Sequence, residues 1–124
     1  MPGIFGFTRQ NQQNNQNGLL QEMAAVLEPE NRSRRELHTG DGFSFGRLTL
    51  GIVNPERQPV WDDRRNMGIV FEGEIFNRQE LIGQLKSKGV PIDKPSNPEL
   101  ALRLFKAYGE AFPARINGSF ALAI

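Results

Sequence analysis

Met1-Pro2-Gly3-Ile4-Phe5-Gly6-Phe7 opens the chain. Two glycines punctuate an apolar run of Ile4, Phe5 and Phe7, the pattern of a short buried strand. Chain ends normally fray, so a terminus set on a buried strand is unusual. Either the strand only fills a core, or its terminal residue is on display. The functional question turns on which of these holds.

Working outward, residues 10–17 are a Gln/Asn tract that cannot build a core and reads as a solvated loop. Leu19, Leu20, Met23, Val26 and Leu27 suit one face of a helix over residues 18–28, with Asn17 as N-cap and Pro29 as its stop. Residues 31–35 read as a polar loop, and Arg34-Arg35 as a solvated turn, since nucleic-acid binding needs a wider basic surface. Residues 38–42 read as a turn in which His38 and Asp41 have no partner at a spacing that acid–base chemistry requires. Strands are expected over residues 43–45 and 47–53, the second with Leu48, Leu50 and Ile52 on one side. A turn over 54–59 leads to the extended pair Val60-Trp61 and a polar turn over 62–66.

A strand over 67–71 runs into Glu72-Gly73-Glu74-Ile75-Phe76-Asn77. A glycine between two carboxylates lets a backbone N–H approach a ligand closely. The alternative is an exposed strand end with two solvated acids. Asn77 caps a helix carrying Leu81, Ile82 and Leu85, with Gly89 at C′. Ser96-Asn97-Pro98-Glu99 fits a capping box for a helix that reaches Tyr108 and stops at Gly109. Residues 110–115 suggest one more short turn, and Asn117-Gly118 is a turn signal. Residues 120–124 are apolar and strand-like, so a fragment of a longer protein is expected.

The 124 residues make one domain, 1–124, long enough for a core. Fifteen Lys and Arg against fourteen Asp and Glu leave a net charge of +1, so no acidic or basic partner follows. Cysteine is absent, which excludes disulfides, zinc–thiolate sites and a cysteine nucleophile; no metal site is expected. No apolar run approaches about 18 residues and no secretory leader is visible. A cytoplasmic protein with neither membrane nor nucleic acid as partner is expected. Strands followed by helices indicate an α+β domain, two-layered or a sandwich.

The order of motifs goes further. The chain resembles the first part of the class II glutamine amidotransferase domain found at the N-terminus of asparagine synthetases. Where that family has Met-Cys-Gly-Ile-Phe-Gly, this chain has Met1-Pro2-Gly3-Ile4-Phe5-Gly6. The family's Arg-Leu-Ser-Ile and Gln-Pro correspond to Arg47-Leu48-Thr49-Leu50 and Gln58-Pro59. Its Asn-Gly-Glu-Ile-Tyr-Asn corresponds to Glu72-Gly73-Glu74-Ile75-Phe76-Asn77, and its Ser-Asp-Thr-Glu to Ser96-Asn97-Pro98-Glu99. Its Leu-Asn-Gly-Met-Phe-Ala-Phe-Ala-Ile corresponds to the stretch from Ile116 to Ile124, and its His-Arg-Gly-Pro-Asp survives faintly as His38-Thr39-Gly40-Asp41.

The resemblance implies an N-terminal-nucleophile four-layer αββα sandwich of antiparallel sheets, incomplete at its C-terminus. It also implies roles. After removal of the first methionine, the family's cysteine attacks the side-chain amide of glutamine, assisted by its own α-amine. The Asn and Gly of Asn-Gly-Glu form the oxyanion hole. The Arg holds the substrate's α-carboxylate and the Asp its α-ammonium. ATP and magnesium are expected only in a synthetase domain, the implied partner, and no cofactor in this chain.

This sequence departs at the decisive positions. Pro2 stands where the thiol should be, and Glu72, beside Gly73, replaces the oxyanion-hole Asn. Losing one such donor costs about 2.7–4 kcal/mol of transition-state stabilisation. Asn97 replaces the ammonium-binding Asp, while Arg47, Gly73, Glu74 and Asn77 remain. A charged hydrogen bond is worth roughly 1.5–3 kcal/mol, so the remnant glutamine site of Arg47, Glu74 and Asn97 should bind more weakly. The expectation is a domain unable to hydrolyse glutamine, kept as scaffold or docking surface beside an amide-forming synthetase domain. One alternative is the amidotransferase domain of an asparagine synthase that uses ammonia. A remote one is tautomerase-like base chemistry at an N-terminal proline. An unpaired edge over residues 120–124 would invite self-association, which keeps a homo-oligomer open.

Overall fold

The computed structural model describes residues 2–8 and 15–124. The opening stretch forms β1 (Gly3–Thr8), followed by α1 (Gln16–Leu27), β2 (Arg34–Thr39) and β3 (Phe43–Thr49). β1 and β2 both pair antiparallel with β3, giving the order β1-β3-β2. The second sheet contains β4 (Val60–Trp61), β5 (Gly68–Ile75) and β6 (Gly118–Ala123), antiparallel in the order β4-β5-β6. Between β5 and β6 run α2 (Arg78–Ser87), α3 (Asn97–Tyr108) and a 3-10 helix (Gly109–Arg115).

Helix α1 packs on the first sheet, and α3, with α2 beside it, packs on the second. The sheets meet through β1 and β3 on one side and β5 and β6 on the other. The result is the expected α+β sandwich in four layers, α1, sheet, sheet, α2/α3. Its main core joins Ile69 and Phe71 of β5 to Leu81 and Leu85 of α2 and Leu100 and Leu104 of α3, all fully buried. Each such side chain contributes about 1.5–3 kcal/mol by leaving water.

Several elements differ from the sequence expectation. Arg34, Arg35 and His38 lie in β2 rather than in a loop and a turn. Charged side chains mask its alternation, but at a sheet edge they are tolerated, and Glu36 of this strand finds Arg47 opposite it. The strand expected over 47–53 stops at Thr49. Left-handed backbone at Gly51 (φ 73°) and Asn54 (φ 54°) turns the chain, leaving Leu50 56% and Ile52 80% exposed. β5 continues past Phe71 to Ile75, so Glu72-Gly73-Glu74 lies within a strand.

The N-cap of α1 is Asn15, not Asn17: its Oδ1 accepts from the Gly18 N–H at 3.1 Å. Residues 15–17 thus begin a helix, and residues 10–14 of the tract expected to be a loop lie outside the described residues. Asn77 does precede α2, but its side chain does not cap it. Its Oδ1 accepts from the Asn117 N–H at 2.9 Å, tying the start of α2 to the start of β6. Gly118 accordingly opens β6 opposite Ile75 instead of forming a hairpin turn. The Ser96 cap is present, its hydroxyl accepting from the Glu99 N–H at 3.3 Å.

Candidate functional site

Pro2 precedes β1 and is exposed. It lines an open cleft of about 430 Å³ with Val53, Glu72, Gly73, Glu74 and Phe76, closed on the β6 side by Ser119, Phe120 and Ala121. A second cleft of about 340 Å³ shares Glu74 and Phe76 with the first and adds Asn54, Glu56, Arg78 and Asn97. Four of the residues singled out in the sequence, Pro2, Glu72, Gly73 and Glu74, therefore border one concavity. Asn97 borders its neighbour.

Arg47 borders neither cleft and is fully buried. Its five N–H groups meet five acceptors. Nε donates to Glu36 Oε2 at 2.9 Å. Nη1 donates to the Phe71 carbonyl at 3.3 Å and, more weakly, to Glu72 Oε2 at 3.4 Å. Nη2 donates to the carbonyls of Asn54 and Glu56, each at 3.1 Å. This guanidinium pins β2, β3, the 54–58 loop and β5 together, with two carboxylates compensating its buried charge. Gln58 completes the pin. Its side-chain amide donates to the Phe71 carbonyl at 3.1 Å and accepts from the Phe71 N–H at 2.6 Å, as a neighbouring strand would.

Glu72 stands between this buried hub and the Pro2 cleft. Burial pushes its carboxyl above the ordinary value of 4.5; Arg47 opposes the shift, and Glu36 and Glu56 add to it. Gly73 has φ 121°, and a Cβ there would lie 2.1 Å from the Ser119 carbonyl oxygen. The close approach of β6 is thus sufficient reason for glycine. Asn97 donates through Nδ2 to Asn54 Oδ1 at 2.9 Å and to the Gly73 carbonyl at 3.4 Å. Its Oδ1 accepts from Arg78, which also donates to the Pro95 carbonyl.

His38 and Asp41 are not brought to these clefts. The His38 ring packs edge-on to Trp61 at 4.9 Å and lies 5.5 Å from Phe45. Burial, reinforced by Arg65, lowers its pKa below 6.5 and favours the neutral ring. Asp41 is exposed in the turn between β2 and β3. Sequence reading missed Glu36, Asn54, Gln58 and Arg78. Gln58 carried a signal, as part of the Gln-Pro motif, but the others are polar residues whose partners are distant in sequence.

An antiparallel αββα sandwich whose first strand begins at a cleft has the architecture of the N-terminal-nucleophile amidotransferases. The glutamine amidotransferase domain model matches residues 1–124, and the chain belongs to that family. It is similar to asparagine synthetase [glutamine-hydrolyzing] 1 of Bacillus subtilis (strain 168), 34% identical over 83 residues, covering 67% of this chain and 13% of that protein. Asparagine synthetase [glutamine-hydrolyzing] 2 of Oryza sativa subsp. japonica is 30% identical over 103 residues, 74% of this chain and 17% of the relative. Asparagine synthetase [glutamine-hydrolyzing] of Zea mays is 25% identical over 113 residues, 85% of this chain and 19% of the relative. The chain thus spans less than a fifth of these relatives. Among the described residues, no helix is long and apolar enough to cross a membrane.

Proposed function

We propose that this chain is the N-terminal amidotransferase-type domain of an asparagine-synthetase-family, amide-forming protein, and that it does not hydrolyse glutamine. Its role is then to scaffold or dock the synthetase part, which would hold the ATP and magnesium of amide formation. The observation that carries this reading is Pro2 at the head of β1, in one cleft with Glu72. Proline offers no thiol or hydroxyl to attack an amide carbon. A carboxylate at the oxyanion position accepts hydrogen bonds where donors are needed, and its charge repels a developing oxyanion.

The same cleft argues against proline base chemistry. With Met1 removed, the secondary amine of Pro2 would share the cleft with Glu72 and Glu74. Neighbouring carboxylates favour its protonated form, the opposite of what a base at neutral pH needs. The asparagine synthetase relatives favour a second reading, in which the parent protein makes asparagine from free ammonia. Both readings expect no release of ammonia from L-glutamine by the purified domain above a heat-killed control. Supplying the full-length parent with glutamine, ammonium or an amine-bearing substrate separates them: product from ammonium alone selects the second, product from the amine the first. Glutamine-dependent product would reject both.

A further inference from the structure

The cleft around Asn97 has the features of a cation site, and a cation of the chain is already in it. The Asn97 amide cannot flip at low cost. Nδ2 is committed to Asn54 Oδ1 at 2.9 Å and faces the Gly73 carbonyl at 3.4 Å. A flipped amide would set Oδ1 against both oxygens and its NH2 group against a guanidinium. Asn54 is itself fixed, its Nδ2 donating to the Gly73 carbonyl at 2.8 Å. The acceptor Oδ1 of Asn97 is therefore aimed at Arg78, and the Pro95 carbonyl meets the same guanidinium. Glu56 and Glu74 line the cleft as well. An anion finds no free guanidinium here, since Arg47 lies buried with its donors occupied and Arg78 is bound to two acceptors.

We propose that this cleft is a self-liganded guanidinium site: Asn97 Oδ1 and the Pro95 carbonyl hold Arg78, which fills the position a small organic cation would otherwise take and so excludes free amino acids. Arg78 and Asn54 are then specificity-determining residues, Arg78 by occupancy and Asn54 by orienting Asn97. The proposal concerns occupancy of the cleft and goes beyond loss of glutamine hydrolysis. A domain that binds glutamine without hydrolysing it would overturn the proposal alone.

The test is an NMR titration of the side-chain amide of Asn97 with methylguanidinium and with L-glutamine. In the wild type neither probe should move that resonance saturably. In Arg78→Ala, methylguanidinium should bind saturably and move it, and the further change Asn97→Ala should abolish binding, followed by the backbone amides of Gly73 and Glu74. Saturable movement by either probe in the wild type would overturn the proposal. So would absence of methylguanidinium binding in folded Arg78→Ala, or binding that survives Asn97→Ala. Should Arg78→Ala fail to fold, Arg78→Met decides: it keeps an apolar stem and removes the guanidinium, so methylguanidinium should bind and move Asn97, with no movement counting against the proposal.

Discussion

Removing the Glu36 carboxylate would leave the Arg47 guanidinium buried with only the weak 3.4 Å contact to Glu72 as ionic compensation. Breaking a buried pair from one side costs about 3–5 kcal/mol, so Glu36→Ala should lose that much stability in urea unfolding. A loss below about 1 kcal/mol, the range of exposed pairs, would contradict the pinning role. Glu72 behaves differently with pH. Its carboxyl is raised in the folded state by burial first, so the folded protein binds more protons than the unfolded chain between the ordinary and the raised value. Stability is then lost as pH rises through that window. Glu72→Gln removes the loss, and relative to the wild type it should be more stable at about pH 7 than at about pH 4. Equal differences at both pH values would refute the assignment. Arg47 and Glu72 were legible in the sequence as motif positions. Their pairing with Glu36 was not, because a charged residue in a short polar stretch carries no mark of the strand it will face.

Strand β5 shows how far an element can be read before its neighbours are known. The apolar run before Glu72 announced a strand, but its continuation through Glu72-Gly73-Glu74 depends on β6, which pairs with it from 43 to 53 residues later, as in Ile75↔Gly118 and Val70↔Ala123. Gly73 reads in the sequence as a site for close ligand approach, and in the fold a Cβ there would also lie 2.1 Å from the Ser119 carbonyl oxygen. Gly73→Ala should therefore destabilise the domain by about 1–3 kcal/mol or more, through φ strain and displacement of β6, read as a lower thermal midpoint. An unchanged midpoint would mean that the β5–β6 approach is not fixed there. Leu50 and Ile52 depart from the strand expected over 47–53, which ends at Thr49. Their alternation mimicked a strand, but Gly51 and Asn54 adopt left-handed backbone and turn the chain away. Helices α2 and α3 were legible because their apolar stripes, the Ser96 cap and the Gly89 and Gly109 stops agree locally.

At the scale of the whole molecule, periodicity alone reached only an α+β domain. The ordered series of motifs from Gly3 to Ile124 carried the resemblance to the amidotransferase domain, and the resemblance implied the sandwich. The sandwich brings Pro2, just ahead of the first sheet's β1, beside Glu72 and Gly73 of the second sheet, a juxtaposition no local pattern contains. It also means that a single reversion should not revive the site. Pro2→Cys supplies a thiol but leaves Glu72 at the proposed oxyanion position and Arg78 on Asn97, so it should remain without glutaminase activity; measurable turnover in that variant would show the rest of the site to be intact. The central claim is tested most directly by ammonia release from L-glutamine by the purified wild-type domain. Release indistinguishable from the heat-killed control is expected, and saturable, protein-dependent release would contradict the account.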